Sequence, residues 1–158
     1  MPYELPYLLT AVAGQAFTGT ANSTYSWDIG ATGAYLGNQA KPVVFKGKVI
    51  TGFTGGDSGT RIEVITSDTS TISTADQRVV ATFASPKTTY SATPLLNGVI
   101  PTTSLLIGKE IFAVIPPNIP CLRYLAISVT PANEALATGL IQFSMQDGVG
   151  EAGAGCVA

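Results

Sequence analysis

Runs of β-branched and aromatic residues alternate with clusters of Gly, Pro, Ser and Asn along almost the whole chain. No window repeats its apolar residues at the 3.6-residue spacing of a helix of useful length. The pattern predicts an all-β fold, with strands at 24–29, 43–53, 60–67, 78–83, 110–115, 122–130 and 139–146 and one more extended piece near the N-terminus. Period-two alternation assigns the faces. Tyr25, Trp27 and Ile29 share one side of their strand, with Ser26 and Asp28 opposite. Leu125, Ile127 and Val129 form an apolar row against Tyr124, Ala126 and Ser128; Ile141, Phe143 and Met145 do so against Gln142, Ser144 and Gln146. Strands with one greasy and one mixed face pack as two sheets about 10 Å apart, so the expectation is a jelly-roll-like β-sandwich of about eight antiparallel strands.

The breaks between strands have their own chemistry. "IPPNIP" (115–120) lacks the N–H groups a ladder needs and reads as a rigid connection. Residues 85–104 form the longest stretch without a predicted strand, and loops of that length tend to be functional or to pack on a partner. "STADQ" (73–77) has the composition to open one helical turn. After Asp147 the chain turns Gly- and Ala-rich, so residues 1–148 read as a single sandwich domain with an N-terminal arm, and 149–158 as a low-complexity tail. No internal repeat is evident.

Composition narrows the function. Charged residues make up 11% of the 158, the net charge is −2, and 20 Thr and 11 Ser supply most of the polarity. With no cluster of Lys or Arg to neutralise phosphates, nucleic-acid binding is disfavoured. The N-terminal apolar stretch carries Glu4 where a secretory signal has basic residues, and it is too short to span a bilayer. The expectation is a chain neither secreted nor membrane-embedded, with Cys121 and Cys156 as free thiols in a reducing cytoplasm.

One motif suggests catalysis. "GGDSG" (55–59) places Ser58 in the setting of a trypsin-like nucleophile, but such a serine needs a histidine base, and the chain has no histidine. Its five lysines, Lys41, Lys46, Lys48, Lys87 and Lys109, form no Ser-Lys motif. Three glycines with Asp57 and Ser58 instead suit a hairpin connection, since Gly tolerates φ > 0 and Asp or Ser can hydrogen-bond a turning backbone. The acidic residues are scattered, Asp57 and Asp68 read as turn formers, and no phosphate-binding loop is present, so no metal, cofactor or enzymatic activity is expected. Asn22-Ser23-Thr24 matches a glycosylation triplet without a secretory context. Trp27 reads as core, by the apolar face it shares, rather than as a sugar platform. Arg123 reads either as a clamp for a carboxylate across an interface or as a strand-edge residue with a packed stem.

Taken in order, four segments resemble one family: "GQAFTGTANSTYSWDIGA" (14–31), "RIEVITSDTS" (61–70), "LLIGKEIFAVIPPNIPCLRYLAISVTP" (105–131) and "TGLIQFSMQDG" (138–148). The carriers are Gln15, Ser23-Thr24 and Asp28-Ile29-Gly30, then Thr66-Ser67-Asp68, then the strand leading to Pro116, then Arg123-Tyr124-Leu125. In these the chain is similar to the Bordetella-phage-type family of tailed-bacteriophage capsid cement proteins, also called decoration or staple proteins. The similarity is weak over 31–60 and absent from the tail.

The resemblance implies a jelly-roll-like sandwich on the outer capsid surface of the virion, made in the host bacterial cytoplasm. There it forms small homo-oligomers, dimers foremost with trimers the alternative, and bridges major capsid proteins. On this reading neither nucleic acid nor membrane is a partner. The interface elements expected are the N-terminal arm (Pro2, Tyr3, Leu5, Tyr7), the 85–104 loop (Tyr90, Leu95, Leu96) and the Pro-rich connection with its flank (Pro116, Pro117, Ile119, Arg123). Apolar and Pro-rich elements lose little chain entropy on docking. The alternative is a carbohydrate-binding or adhesive β-sandwich module, motivated by Trp27, the six tyrosines and the Thr-rich surface. A hydrolase is carried only by Ser58 and the scattered carboxylates.

Overall fold

A computed structural model of the chain describes residues 7–30, 34–35, 43–55, 59–72, 77–83, 99–116, 119–131 and 135–146. Its strands are β1 (Tyr7–Leu8), β2 (Gln15–Ala16), β3 (Ala21–Asn22), β4 (Trp27–Asp28), β5 (Ala34–Tyr35), β6 (Val43–Gly55), β7 (Thr60–Ser67), β8 (Arg78–Thr82), β9 (Val99–Ile100), β10 (Glu110–Ile115), β11 (Pro120–Cys121), β12 (Tyr124–Pro131) and β13 (Leu136–Gln146). All pair antiparallel. The first sheet has the order β1-β13-β6-β10, with β2 also on β13. The second has the order β3-β12-β7-β8, with β4 also on β12 and β9 on β7. β5 and β11 form a separate pair. The fold is therefore an all-β sandwich of two antiparallel sheets.

Alternation fixes the inner faces as the apolar rows predict. Phe45, Val49 and Phe53 of β6 and Ile141, Phe143 and Met145 of β13 meet Ile62 and Val64 of β7 and Leu125, Ile127 and Val129 of β12 in one buried cluster. Phe143 lies at its centre, edge-on to Phe17 at 5.9 Å and tilted against Phe83 at 5.4 Å between ring centroids. Each fully buried side chain of this size stabilises the fold by about 1.5–3 kcal/mol.

Residues 7–30 close one long side of this sandwich by docking on both sheets in turn. β1 and β2 pair with β13, and β3 and β4 with β12. Twice this segment leaves the ladder, and each time a hydroxyl takes over. Thr10 Oγ1 accepts the Phe143 N–H at 3.0 Å, and Ser23 Oγ accepts the Ile127 N–H at 3.0 Å. Central-strand donors thus stay satisfied where backbone pairing lapses.

Several expectations are corrected. The strand predicted at 24–29 is paired only at Trp27–Asp28, because two extra residues enter between the registers Asn22↔Ser128 and Trp27↔Leu125. That excursion turns Tyr25 outward, away from Trp27 and Ile29, which pack against the core. The connection between β6 and β7 is no hairpin, since β13 and β10 occupy both edges of β6 and β7 lies in the other sheet. Gly55 and Gly59, with φ of 78° and 93°, bend the chain across. Of the 85–104 stretch the described residues, 99–104, hold β9, paired with Thr60 and Arg61, and a 3₁₀ turn at Thr102–Ser104. Pro120, the last residue of "IPPNIP", and Cys121 pair with Tyr35 and Ala34 in the separate two-stranded pair, whose strands are both edges and tolerate a missing proline N–H. The mixed face of β12 is buried too, at Ala126 and Ser128. The helical turn at 73–77 falls on residues of which only Gln77 is described, and the tail lies outside the described residues.

Candidate functional site

The polar residues that the sequence singles out converge where residues 7–30 seat on β12. Gln15 Nε2 donates to the Asn22 carbonyl at 2.9 Å, and its Oε1 accepts the Thr24 N–H at 2.7 Å and the Thr24 hydroxyl at 2.8 Å. Ser23 Oγ, besides accepting from Ile127, donates to the Tyr25 carbonyl at 2.9 Å. Asn22 Nδ2 reaches the Ile72 carbonyl at 3.1 Å. A few residues on, Asp28 Oδ1 accepts the Gly30 N–H at 2.8 Å and Arg123 Nε at 3.0 Å, while Oδ2 accepts Arg123 Nη2 at 2.9 Å.

This two-pronged contact uses the planar fork of the guanidinium, which also lies 5.3 Å from the centre of the Tyr124 ring. The hydrogen bonds from Arg123, and then that from the Gly30 N–H, hold the Asp28 carboxyl below its usual range; Asp28 in turn raises Arg123. Arg123 therefore clamps a carboxylate of its own chain.

Ser58 and Asp57 lie outside the described residues. The Cys121 thiol is buried, donates to the Ile119 carbonyl at 3.8 Å, and is pushed up by burial, away from thiolate character. Among the described residues no group of three His, Cys, Asp or Glu stands close enough to hold a metal ion. An open depression of about 440 Å³ between Phe53, Thr54, Gly55, Pro101, Thr102, Thr103 and Leu106 has no titratable side chain among its described lining residues. No helix of the described residues is long and apolar enough to cross a membrane.

What the surface does offer is apolar. Phe112 and Val114 of β10 point outward, 44% and 48% exposed, and Leu106 and Ile107 stand out just before that strand. Sequence does not mark Phe112 and Val114, because "EIFAVI" is apolar on both faces and periodicity cannot say which row is solvent-facing. The signal available was the strand itself, doubly apolar beside a proline. Of the residues expected at an interface, Pro116 is exposed directly after β10, Ile119 packs partly buried against the core, and Arg123 is paired with Asp28. Tyr7 pairs through its backbone with Met145. Pro2, Tyr3, Leu5, Tyr90, Leu95, Leu96 and Pro117 lie outside the described residues. No protein-family model matches this chain, and no curated protein does.

Proposed function

We propose that the chain is a capsid cement protein. It sits on the outer surface of a tailed-phage head, bridges neighbouring major capsid proteins and resists the outward pressure of packaged DNA. The observation that carries this reading is where the resembling segments meet. Gln15, Ser23-Thr24 and Asp28-Gly30 lie within residues 7–30, and Arg123 is 95 positions beyond Asp28, yet hydrogen bonds and strand pairing gather them where that segment seats on β12 and β13. These carriers share one physical purpose, the seating of residues 7–30, which is what a family-wide pattern in this part of the fold requires. The jelly-roll-like connectivity belongs to the same proposal.

The surface supports it. A sandwich with few charges and outward Phe112, Val114, Leu106 and Ile107 incurs little desolvation cost when it meets other protein. Such a domain works mechanically. It binds only the assembled lattice, so mass action adds its binding free energy to the work of separating capsid subunits. Attachment at several points slows dissociation even where each contact is modest.

Quantitative mass spectrometry of purified, DNA-filled particles tests the proposal. The expected result is this chain in fixed ratio to the major capsid protein, with particles lacking it releasing DNA at lower temperature. Absence from the particle overturns the reading. Glycan binding that Tyr25→Ala abolishes would then assign the sandwich to carbohydrate recognition, since Tyr25 is an outward aromatic.

A further inference from the structure

The two long sides of the sandwich are finished differently. Residues 7–30 cover one; on the other, β8 and β10 are the last described strands of the two sheet orders and pack on each other. β8 has devices that discourage pairing with a further strand: Arg78 at its start and a register shift where Val64 and Ile65 meet Ala81 and Val79. β10 has neither. Its six residues pair with β6 without a shift, and its one charge, Glu110, is held by Lys46 at 2.7 Å.

The backbone of β10 is directed outward on that same side. Val49 accepts the Gly108 N–H and donates its own to the Lys109 carbonyl. Alternation along β6 turns Gly47, Phe45 and Val43 toward β10 as well, so Ile111, Ala113 and Ile115 bond to β6. Glu110, Phe112 and Val114 therefore aim their N–H and C=O groups away from the sheet, and no other described strand pairs with them.

We propose that β10 is a self-pairing edge, at which a second copy of this chain joins antiparallel about a two-fold axis through Ala113 to make one continuous sheet. The strand favours a second copy because it is complementary to itself. In this register Phe112 of each chain faces Val114 of the other, giving two aromatic–β-branched pairs of a stabilising kind. Glu110 falls opposite Pro116, whose missing N–H ends the ladder at both margins. About four new backbone hydrogen bonds form between these rungs. An axis through Phe112 would instead set both Glu110 carboxylates against Val114, and one through Ile111 would set them against Phe112. The inference concerns the isolated chain and does not rest on the capsid reading.

Sedimentation equilibrium of the full chain tests it, with Val114→Lys and Val79→Lys compared. The wild type is expected to dimerise. Val114→Lys, which brings an ammonium up to Lys46 of the second copy, whose Nζ lies 5.9 Å from the centre of the Phe112 ring, should raise the dissociation constant about tenfold or more. Val79→Lys changes a similarly exposed valine on β8 and should leave it unchanged. Cross-linking supplies a second measurement that does not depend on the lysine variant folding. Phe112→Cys and Val114→Cys chains, with Cys121 and Cys156 changed to Ala, are mixed and oxidised. The mixed disulfide dimer should form faster than either self-linked species, because those two positions are the facing pair. A wild type monomeric at every concentration, equal weakening by Val79→Lys, or self-linking of Phe112→Cys as fast as the mixture would each overturn the proposal.

Discussion

Asp28 serves two neighbours at once: its carboxylate closes the turn to Gly30 and fixes the guanidinium of Arg123. Because those donors favour the charged form, its folded pKa lies below the ordinary value of 3.8. The sign of the pH effect follows from that direction. The stabilisation is fully present above the unfolded pKa and is lost as pH falls through the lower, folded one. Asp28→Asn should therefore lower the urea midpoint at pH 7, and the gap to wild type should narrow as the pH drops below about 4. Both partners are solvent-exposed, so the gap is expected to be small and to shrink further in high salt. Sequence alone left Arg123 between two roles because pairing across 95 positions is a tertiary fact. Nothing local marks Asp28 as its partner.

Among the elements, the crossing from β6 to β7 is the most sensitive to a single atom. Gly59 has φ of +93°, and a Cβ there would run into the backbone of Ile100 and Pro101. Gly59→Ala should cost roughly 2–3 kcal/mol, combining left-handed strain with displacement of β9, and a shifted thermal midpoint would register it. The glycines around Asp57 and Ser58 were legible as a reversal of the chain. That the reversal joins two sheets was not, because composition reports flexibility and not which strand becomes the neighbour. Length explains the rest of the outcome. β6, β7, β8, β10, β12 and β13 carry enough residues for alternation to be read, and each was placed within a few residues. The two-residue strands have no period to read: β1, β2, β3, β4 and β9 exist because a long strand nearby offers bonds, and β5 and β11 because each offers them to the other. β13 starts at Leu136, ahead of the predicted 139, since bulges between Leu136 and Ile141 carry the pairing past Gly139.

At the scale of the whole molecule, nearly every pairing is long-range. β6 lies between β10 and β13, and β7, besides its near neighbour β8, is paired to β12, so the first long strands complete their pairing only in the later part of the chain. Loops of such length must close before their contacts stabilise anything, and refolding is expected on the millisecond-to-second scale of β-sandwiches, measurable by stopped-flow fluorescence of Trp27. A rate in microseconds would contradict this topology. The double seating of residues 7–30 extends the same logic to biosynthesis. Those residues leave the ribosome well before the strands they dock on, residues 124–131 and 136–146, have been made. Throughout translation the early segment stays without its berth, and a nascent chain cut short before residue 124 has no route to a closed sandwich. Truncated products are thereby prevented from presenting a finished surface to any partner.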